Sequence, residues 1–317
     1  MPTLSIIVPL YNEAPNILDL RNSISRVLEN MKIDAEIIIV NDGSEDGSAE
    51  KLDEITGEDH RFKIIHFTRN FGQTAALMAG ISAASGEILV TMDGDLQNDP
   101  ADIPRLMAKL DEGFDVCSGW RKDRQDRTLS RILPSMAANW LISWVTGVRI
   151  HDVGCTLKAY RRSVIKTLRM YGEMHRYLPI YARLQGAKVT EMVVGHHHRT
   201  RGVSNYGLER VVKVLLDLVV IKFLYRYSQK PMYIFGTFSL FCFLSAMAIF
   251  GLMVYLKYLG GKSFVETPLP TMSVLFLLIG VQSLLSGLIS EVLMRTYFET
   301  QNKLPYVVER TCNFEED

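Results

Sequence analysis

Two long apolar runs without a single charged residue constrain this chain more than any other feature of its sequence. They cover residues 232–255 and 269–290. At about 1.5 Å per helical residue, each run is long enough to cross a hydrocarbon core of about 30 Å. A short loop joins them, so the pattern predicts a helical hairpin that spans a membrane twice, with two buried helices of a soluble protein as the weaker alternative.

The cations around this hairpin predict its orientation. Lys222, Arg226 and Lys230 precede the first run, and Arg295 and Lys303 follow the second. Cytoplasmic flanks carry an excess of such residues, so we expect both chain ends in the cytosol. The first residues enter an apolar strand without a charged leader, which agrees with a cytosolic N-terminal domain. Four scattered cysteines, with no CxxC pair, suit a reducing compartment.

Residues 207–230 mix an apolar stripe with Arg210, Lys213 and other cations. This composition predicts a helix that lies on the membrane surface, although an ordinary amphipathic core helix has the same pattern. We therefore divide the chain into a cytosolic domain (1–206), a juxtamembrane helix (207–230), a hairpin (231–295) and a cytosolic tail (296–317). Lys+Arg and Asp+Glu balance at 35 each, so no bulk charge favours nucleic acid as a partner.

The first 195 residues alternate short apolar runs with stretches of helical periodicity. This alternation predicts an α/β domain with a mostly parallel sheet, in which ligands bind beyond the carboxyl ends of the strands. The predicted strands are residues 4–8, 36–40, 63–67, 88–92 and 116–119, and the predicted helices are residues 16–30, 49–55, 73–84 and 103–111.

The sequence Asp93-Gly94-Asp95 directly follows the fourth predicted strand. Two carboxylates separated by one small residue can converge on one divalent cation, and Gln97 could add an amide oxygen. Mg²⁺ and Mn²⁺ prefer oxygen ligands of this kind together with substrate phosphates. Acidic turns are common, so the motif alone is weak.

Two further polar loops are expected at the same edge of the sheet. The first strand leads into Pro9-Leu10-Tyr11-Asn12-Glu13, and the second leads into Asn41-Asp42-Gly43 and on to Asp46. Asp42 is a candidate for ligand binding, whereas Asp46 is better explained by turn formation. After the fifth strand, Arg121, Arg124 and Arg131 belong to a cationic segment. Guanidinium groups match phosphate oxygens, although such a segment is often only a solvated surface.

These motifs, in this order, resemble the family 2 glycosyltransferases, and in particular their polyprenyl-phosphate glycosyltransferase group. That group holds dolichyl-phosphate mannose synthases and bactoprenol glucosyltransferases. The resemblance covers nearly the whole chain. It rests on the loops above, on residues 69–73 and 93–100, on the segment from Asp152-Val153-Gly154-Cys155 to Tyr160-Arg161-Arg162, on Arg199, Gly202, Ser204 and Tyr206, and on Glu291, Arg295, Tyr297, Pro305 and Tyr306.

The resemblance implies a GT-A fold of Rossmann type and a role for each matching residue. It implies a nucleotide site, a Mg²⁺ or Mn²⁺ site, a site for the acceptor's phosphate, and Asp152 with Asp95 as catalytic residues. The nucleotide site would comprise Pro9, Tyr11, Asn12, Glu13, Asp42, Asp93, Arg199 and Arg201. The metal ligands would be Asp93, Asp95 and Gln97, and the acceptor's phosphate would be held by Arg121, Arg124 and Arg131.

The expected reaction is the inverting transfer of a hexose from a nucleotide-sugar to a polyprenyl phosphate, such as undecaprenyl phosphate, at the cytoplasmic face of a bacterial plasma membrane. We expect UDP-glucose as the donor, with GDP-mannose or a UDP-aminoarabinose as alternatives. Asp152 is either a base or a residue that orients an arginine. The resemblance also leaves room for a homo-oligomer such as a tetramer.

Some features depart from the resemblance or compete with it. Asn205 replaces the lysine of the family's R-x-x-G-x-S-K loop, so the contact to the donor's diphosphate is open between neighbouring cations. His196-His197-His198 invites a metal interpretation, but consecutive residues of a strand point to opposite faces. A processive synthase would carry a Q-x-x-R-W motif, which this sequence lacks. A catalytically inactive membrane scaffold is the alternative from another class.

Overall fold

The computed structural model describes residues 2–122, 148, 150–166, 174–197, 232–258, 263–264, 267–299 and 306–314. The chain divides into two compact units. The first unit combines Met1–Asp217 with Leu304–Asp317, and the second unit is Leu218–Lys303. The helix predicted over 207–230 lies outside the described residues, as do Arg124, Arg131, Arg199 and Arg201.

The first unit is an α/β domain around an eight-stranded sheet with the order β7-β5-β6-β4-β1-β2-β3-β8. Parallel pairs join β1 to β2, β1 to β4, β2 to β3 and β5 to β7, while β8 and β6 pair antiparallel with their neighbours. The strands are β1 (Leu4–Leu10), β2 (Ala35–Asn41), β3 (Phe62–Phe67), β4 (Ile88–Thr91), β5 (Val116–Trp120), β6 (Lys158–Arg161), β7 (Val189–Val193) and β8 (Val308–Cys312).

Helices cover both faces of the sheet, so β1 to β6 are largely buried, whereas the two edge strands, β7 and β8, are half-buried and mostly exposed. The described helices of this unit are α1 (Ile17–Met31), α2 (Ser48–Glu58), α3 (Gln73–Ala83), α4 (Ile103–Asp111), α5 (Arg162–Ile165) and α6 (Leu178–Leu184), with short 3₁₀ turns at Pro100–Asp102 and Met174–Tyr177.

Each strand divides its side chains between two apolar layers. In β1, Leu4, Ile6 and Val8 pack with α1, α2 and α4, whereas Ile7 packs with α3 and α6. This alternation follows from the two-residue repeat of a strand. At Gly80 of α3, an added Cβ would lie 2.4 Å from the Ile7 side chain, so this glycine lets the helix pack directly on the central strand.

The predicted α/β fold is confirmed, and all five predicted strands and four predicted helices are present within a few residues of their expected bounds. Three further strands were not predicted. β6 begins and ends with a cation, the apolar residues of β7 are interrupted by Thr190 and Glu191, and β8 has three consecutive polar residues. These strands depend on pairing with distant parts of the chain rather than on an apolar run of their own.

The residues after the hairpin contribute to the sheet. β8 pairs antiparallel with β3, and Tyr306 stacks on Phe67 with ring centroids 5.0 Å apart. Residues 296–317 were expected as a tail, yet this segment supplies an edge strand. The sheet of the first unit is therefore built from chain on both sides of the hairpin.

The second unit is a pair of packed helices, α7 (Met232–Tyr258) and α8 (Leu269–Glu299). Serine hydroxyls join them: Ser239 Oγ donates to the Gly280 carbonyl at 2.8 Å and Ser283 Oγ to the Phe235 carbonyl at 2.9 Å. The stretches Phe235–Tyr258 and Leu269–Ser290 are long and apolar enough to cross a membrane, and most of their side chains are exposed. The predicted helical hairpin is therefore present in the fold.

Candidate active site

Asp93 lies just beyond the end of β4, at the edge of the sheet where ligands were expected. Its two carboxylate oxygens accept hydrogen bonds from different elements. Gln73 Nε2, at the start of α3, donates to Oδ1 at 2.8 Å, and Thr156 Oγ1 donates to Oδ2 at 2.9 Å. The Asp93 backbone N–H donates to Asn98 Oδ1 at 3.3 Å. Asp93 is thus held in one orientation by residues far apart in the chain.

The charge balance at Asp93 favours a cation. Burial, together with the negative charge of Asp95, raises the pKa of Asp93 to about 6, against the opposing effects of Thr156, Arg121 and Lys158. Asp95 Oδ1 accepts the Gln97 backbone N–H at 3.2 Å, and the described residues offer no hydrogen bond to its second oxygen. Two repelling carboxylates with an open oxygen suit a divalent ion with hard oxygen ligands. The residues present therefore fit the expected metal.

Residues 93–98, which we call the metal loop, are held in place by the residues that follow β7. His197 N–H donates to the Gln97 carbonyl at 3.0 Å, and His196 forms a β-bridge with Asn98. The Gly195 N–H donates to Asp102 Oδ2 at 2.7 Å. The histidine run therefore begins as a short strand beside the metal loop.

Asp42 holds the loop between β3 and α3. Its oxygens accept the backbone N–H groups of Phe71 at 2.7 Å and Gly72 at 2.9 Å. Burial raises the pKa of Asp42. The next residue, Gly43, has φ +65° and its missing Cβ would lie 2.3 Å from the Arg69 backbone, so no other residue fits here without displacing that loop. The predicted contact of Asp42 with a nucleotide stays a prediction.

The end of β1 and the loop after it carry the other predicted nucleotide residues that the structure describes. Pro9 is part of β1, and Tyr11 is 46% exposed. Asn12 has φ 53°, and its Oδ1 accepts the Glu45 N–H at 2.9 Å, which joins the loops after β1 and β2. Glu13 accepts a hydrogen bond from Asn16 at the start of α1.

Asp46 accepts the Ala14 N–H and the Ser48 N–H and hydroxyl. These bonds agree with its interpretation as a turn residue.

Arg121 and Asp152 form an ion pair at the same edge. Arg121 directly follows β5, and Asp152 lies in the segment that precedes β6. Arg121 Nε lies 2.8 Å from Asp152 Oδ2 and Nη2 lies 3.1 Å from Oδ1, while the Arg121 backbone N–H also donates to Oδ2. Asp152 is only 2% exposed and Arg121 18%. The bidentate contact raises the pKa of Arg121 although burial opposes that change.

This ion pair bears on the roles predicted for Asp152 and Arg121. Both Asp152 oxygens accept from Arg121, so Asp152 has the geometry of a residue that orients an arginine. These contacts use the Nε–Nη2 edge of the guanidinium. Among the described residues none bonds the Nη1 group, and this opposite edge has donors suited to an anion.

Several residues of the site lie in segments that carry the family resemblance, but the sequence does not show what they contact. Gln73 and Thr156 hold Asp93 across 20 and 63 positions of the chain. Lys158 is buried in β6, where its ammonium donates to the carbonyls of Val153 and Arg176, both at 3.2 Å. Burial lowers the pKa of Lys158 to about 8. The sequence places Lys158 in one of these matching segments, but burial of its ammonium follows only from the fold.

Comparison with known proteins adds independent information. Residues 5–169 match the family described as glycosyl transferase family 2. The chain is 38% identical to the dodecaprenyl-phosphate galacturonate synthase of Rhizobium johnstonii, over 97% of this chain and 92% of that protein. It is 35% identical to the undecaprenyl-phosphate 4-deoxy-4-formamido-L-arabinose transferase of Salmonella choleraesuis, over 97% of this chain and 93% of that protein.

Solved structures support the fold. The first unit resembles glucosyl-3-phosphoglycerate synthase from Mycobacterium tuberculosis, with a TM-score of 0.53 and 19% identity, over 71% of this chain and 80% of that one. A further structure of that enzyme holds Mn²⁺, UDP and glucosyl-3-phosphoglycerate, with a TM-score of 0.52. At this identity the likeness shows a shared fold.

Proposed function

The chain belongs to glycosyl transferase family 2, and from this membership we propose that it transfers a sugar from a nucleotide-sugar to a polyprenyl phosphate, with inversion at the anomeric carbon. One observation carries the proposal: the Asp93/Asp95 pair follows β4 and Arg121 follows β5, two strands that run in the same direction on either side of β6, so the acidic pair and the cation lie at one edge of the sheet. Two relatives that span almost the whole chain are named for polyprenyl-phosphate acceptors.

The acidic pair would hold the donor side. Asp93 and Asp95, with Gln97, would hold Mg²⁺ or Mn²⁺, which when bound supplies charge to stabilise a leaving nucleoside diphosphate. Gln73 and Thr156 keep Asp93 fixed, so the carboxylate needs little reorganisation when the donor binds.

Arg121 would hold the acceptor side. A phosphate monoester with a second pKa near about 6 is mostly dianionic at neutral pH, so it can attack without a strong base. Its oxygens match the Nη1 side of the Arg121 guanidinium, which none of the described residues bonds. The occupied Asp152 oxygens favour an orienting role for Asp152 over a base.

The nature of the sugar is a narrower proposal. The names of the two relatives favour galacturonic acid or a formamido-arabinose over the glucose expected from the sequence. A mannose donor has no support among these relatives. We therefore place UDP-linked uronic and 4-aminopentose sugars first in a donor panel and UDP-glucose and GDP-mannose after them.

A membrane location agrees with this acceptor and with the topology of the first unit. A polyprenyl chain is costly to remove from a bilayer, since each CH₂ contributes about 0.8 kcal/mol. β8 follows the hairpin yet pairs with β3, so both ends of the hairpin must return to one side of a membrane. Two crossings satisfy this constraint, and the cations that flank the hairpin favour the cytosol for the catalytic domain and both hairpin ends.

The test is a donor panel with radiolabelled nucleotide-sugars, undecaprenyl phosphate and Mg²⁺ or Mn²⁺, with extraction of the lipid product. We expect one donor to yield labelled, acid-labile glycolipid, and no product when EDTA replaces the metal. Binding of nucleotide without transfer from any donor would instead support the inactive scaffold.

A further inference from the structure

Glu191, in β7, has no place in the site as described so far, yet its carboxylate contacts the segment that carries Asp152. Oε1 accepts the backbone N–H of His151 at 2.8 Å and that of Asp152 at 3.3 Å. Oε2 lies 2.8 Å from His151 Nδ1. The Glu191 side chain is only 12% exposed. Hydrogen bonds to an ionised acceptor are about twice as strong as neutral ones, so one side chain fixes two consecutive residues.

The sheet explains why Glu191 reaches this segment. β7 runs parallel to β5, with Glu191 opposite Ser118, and β6 runs antiparallel to β5 with Lys158 opposite the same residue. The segment before β6 therefore lies at the carboxyl ends of β5 and β7. Arg121 follows β5 at this edge and its guanidinium bonds both Asp152 oxygens. The contacts form a continuous series from Glu191, through the 151–152 backbone and Asp152, to Arg121.

A ring contact marks the same segment. His151 stacks on Trp120, the residue before Arg121, with centroids 4.4 Å apart and planes 18° apart. The Val194 N–H donates to the Trp120 carbonyl at 3.1 Å. Trp120 and His151, which directly precede Arg121 and Asp152, are thus fixed by contacts with each other, with Glu191 of β7 and with Val194.

We propose that Glu191 is a positioning residue that holds Asp152, and through it the Arg121 guanidinium, in the orientation that receives the acceptor's phosphate. This inference rests on the proposed function. It assigns Glu191 no contact with the substrate: its effect passes through the loop backbone. A misplacement of about 1 Å at a reacting group can cost on the order of 100-fold in rate, so loss of these three contacts should be visible in kinetics.

The first test compares Glu191→Ala with Glu191→Gln in the full-length protein. We expect Glu191→Ala to lower kcat/KM for undecaprenyl phosphate on the order of 10- to 100-fold, with the donor KM within about 2-fold of wild type. Glu191→Gln keeps an oxygen acceptor for both backbone N–H groups and should retain activity within about 3-fold. Glu112→Ala, which removes an exposed glutamate paired with Lys109, is the control.

A double-mutant cycle then separates positioning from general stability. If Glu191 acts through Arg121, adding Glu191→Ala to an Arg121→Ala variant should change the residual rate by less than about 2-fold. The proposal is overturned if the full loss recurs in that background, if Glu191→Gln is as defective as Glu191→Ala, or if the acceptor kinetics do not change.

A measurement without turnover tests the segment itself. Glu191→Ala should change the fluorescence of Trp120, because His151 loses the contacts that place it on the indole, and the change should be absent in a Trp120→Phe background. Lack of transfer by the wild-type protein with every donor would refute the proposed function alone. An unchanged Trp120 signal would refute the role of Glu191 alone.

Discussion

Asp93 and Asp95 lie in one loop, but their carboxylate oxygens differ in their hydrogen bonds. Asp93 is oriented by Gln73 and Thr156, whereas Asp95 keeps one oxygen without a described partner. Asp93 therefore fixes the geometry of the site, whereas the second oxygen of Asp95 is better placed to bind the metal. Replacement of Asp95 should therefore affect binding of the metal more selectively than replacement of Asp93.

We expect Asp95→Asn to lower transfer at least about 1,000-fold, because a neutral amide binds a divalent ion weakly and the charge of the leaving diphosphate is then uncompensated. The thermal midpoint without metal should stay within about 2 °C or rise, since the repulsion with Asp93 is removed. The comparison is with Asp111→Asn, at the exposed end of α4. Activity near the wild-type level in Asp95→Asn would contradict the assignment of the metal site.

His175 should make the stability of the first unit depend on pH. It is buried, with Nδ1 2.7 Å from Thr74 Oγ1, and burial, reinforced by the charges of Arg176 and Lys158, lowers its pKa to about 3. The unfolded chain binds a proton near pH 6.5 and the folded protein does not. The stability that comes from keeping His175 neutral is therefore fully present above pH 6.5, and it is lost as the pH falls toward 3.

At pH 5 the free energy of unfolding should be about 2 kcal/mol lower than at pH 7, since each pH unit changes it by up to about 1.36 kcal/mol. Urea unfolding in detergent at both pH values measures it. His175→Asn keeps a polar partner for Thr74 but cannot titrate, so its unfolding free energy should change less between the two pH values. Equal changes in the two proteins would show that His175 is not the group responsible.

The elements differ in how far they could be predicted. β1 to β5 and α1 to α4 carry apolar repeats of their own, and the loops with Asp42, Asp93 and Arg121 follow strands that the sequence predicts. β6, β7 and β8 lack such repeats, because neighbours in the sheet supply their stability. Thr156, a partner of Asp93, precedes β6, and Glu191, a partner of the 151–152 backbone, lies in β7, so pairing geometry was needed to find both contacts.

The hairpin depends on one close approach between its helices. At Gly280 in α8, an added Cβ would lie 2.8 Å from the Phe243 ring and 3.3 Å from Cys242 Cβ, whereas Gly251 in α7 has nothing within 4 Å. We expect Gly280→Leu to force the helices apart and lower the thermal midpoint in detergent by at least about 5 °C. Gly251→Leu should leave it within about 2 °C, and equal effects would refute the packing argument.

At the scale of the whole molecule, the sheet restricts how the chain can be threaded through a membrane. The loop between α7 and α8 should lie on the side opposite β8, because β8 must reach β3. Ser263, in that loop, and Glu309, in β8, are both exposed and can report the two sides.

Single cysteines test this arrangement in a Cys312→Ser background, since Cys117, Cys155 and Cys242 are buried. An impermeant maleimide applied to intact cells should label Ser263→Cys, and it should label Glu309→Cys only after the membrane is permeabilised. Labelling of both positions from the same side in intact cells would rule out two crossings.

The pairing of β8 with β3 also sets an order of events during synthesis. The ribosome must translate α7 and α8 before it reaches residues 308–312, so a sheet formed by then lacks β8 and leaves the β3 edge unpaired. An open edge can pair with other chains. A delay in synthesis of the hairpin should therefore leave an intermediate prone to aggregation, and completion of the sheet waits for the two helices.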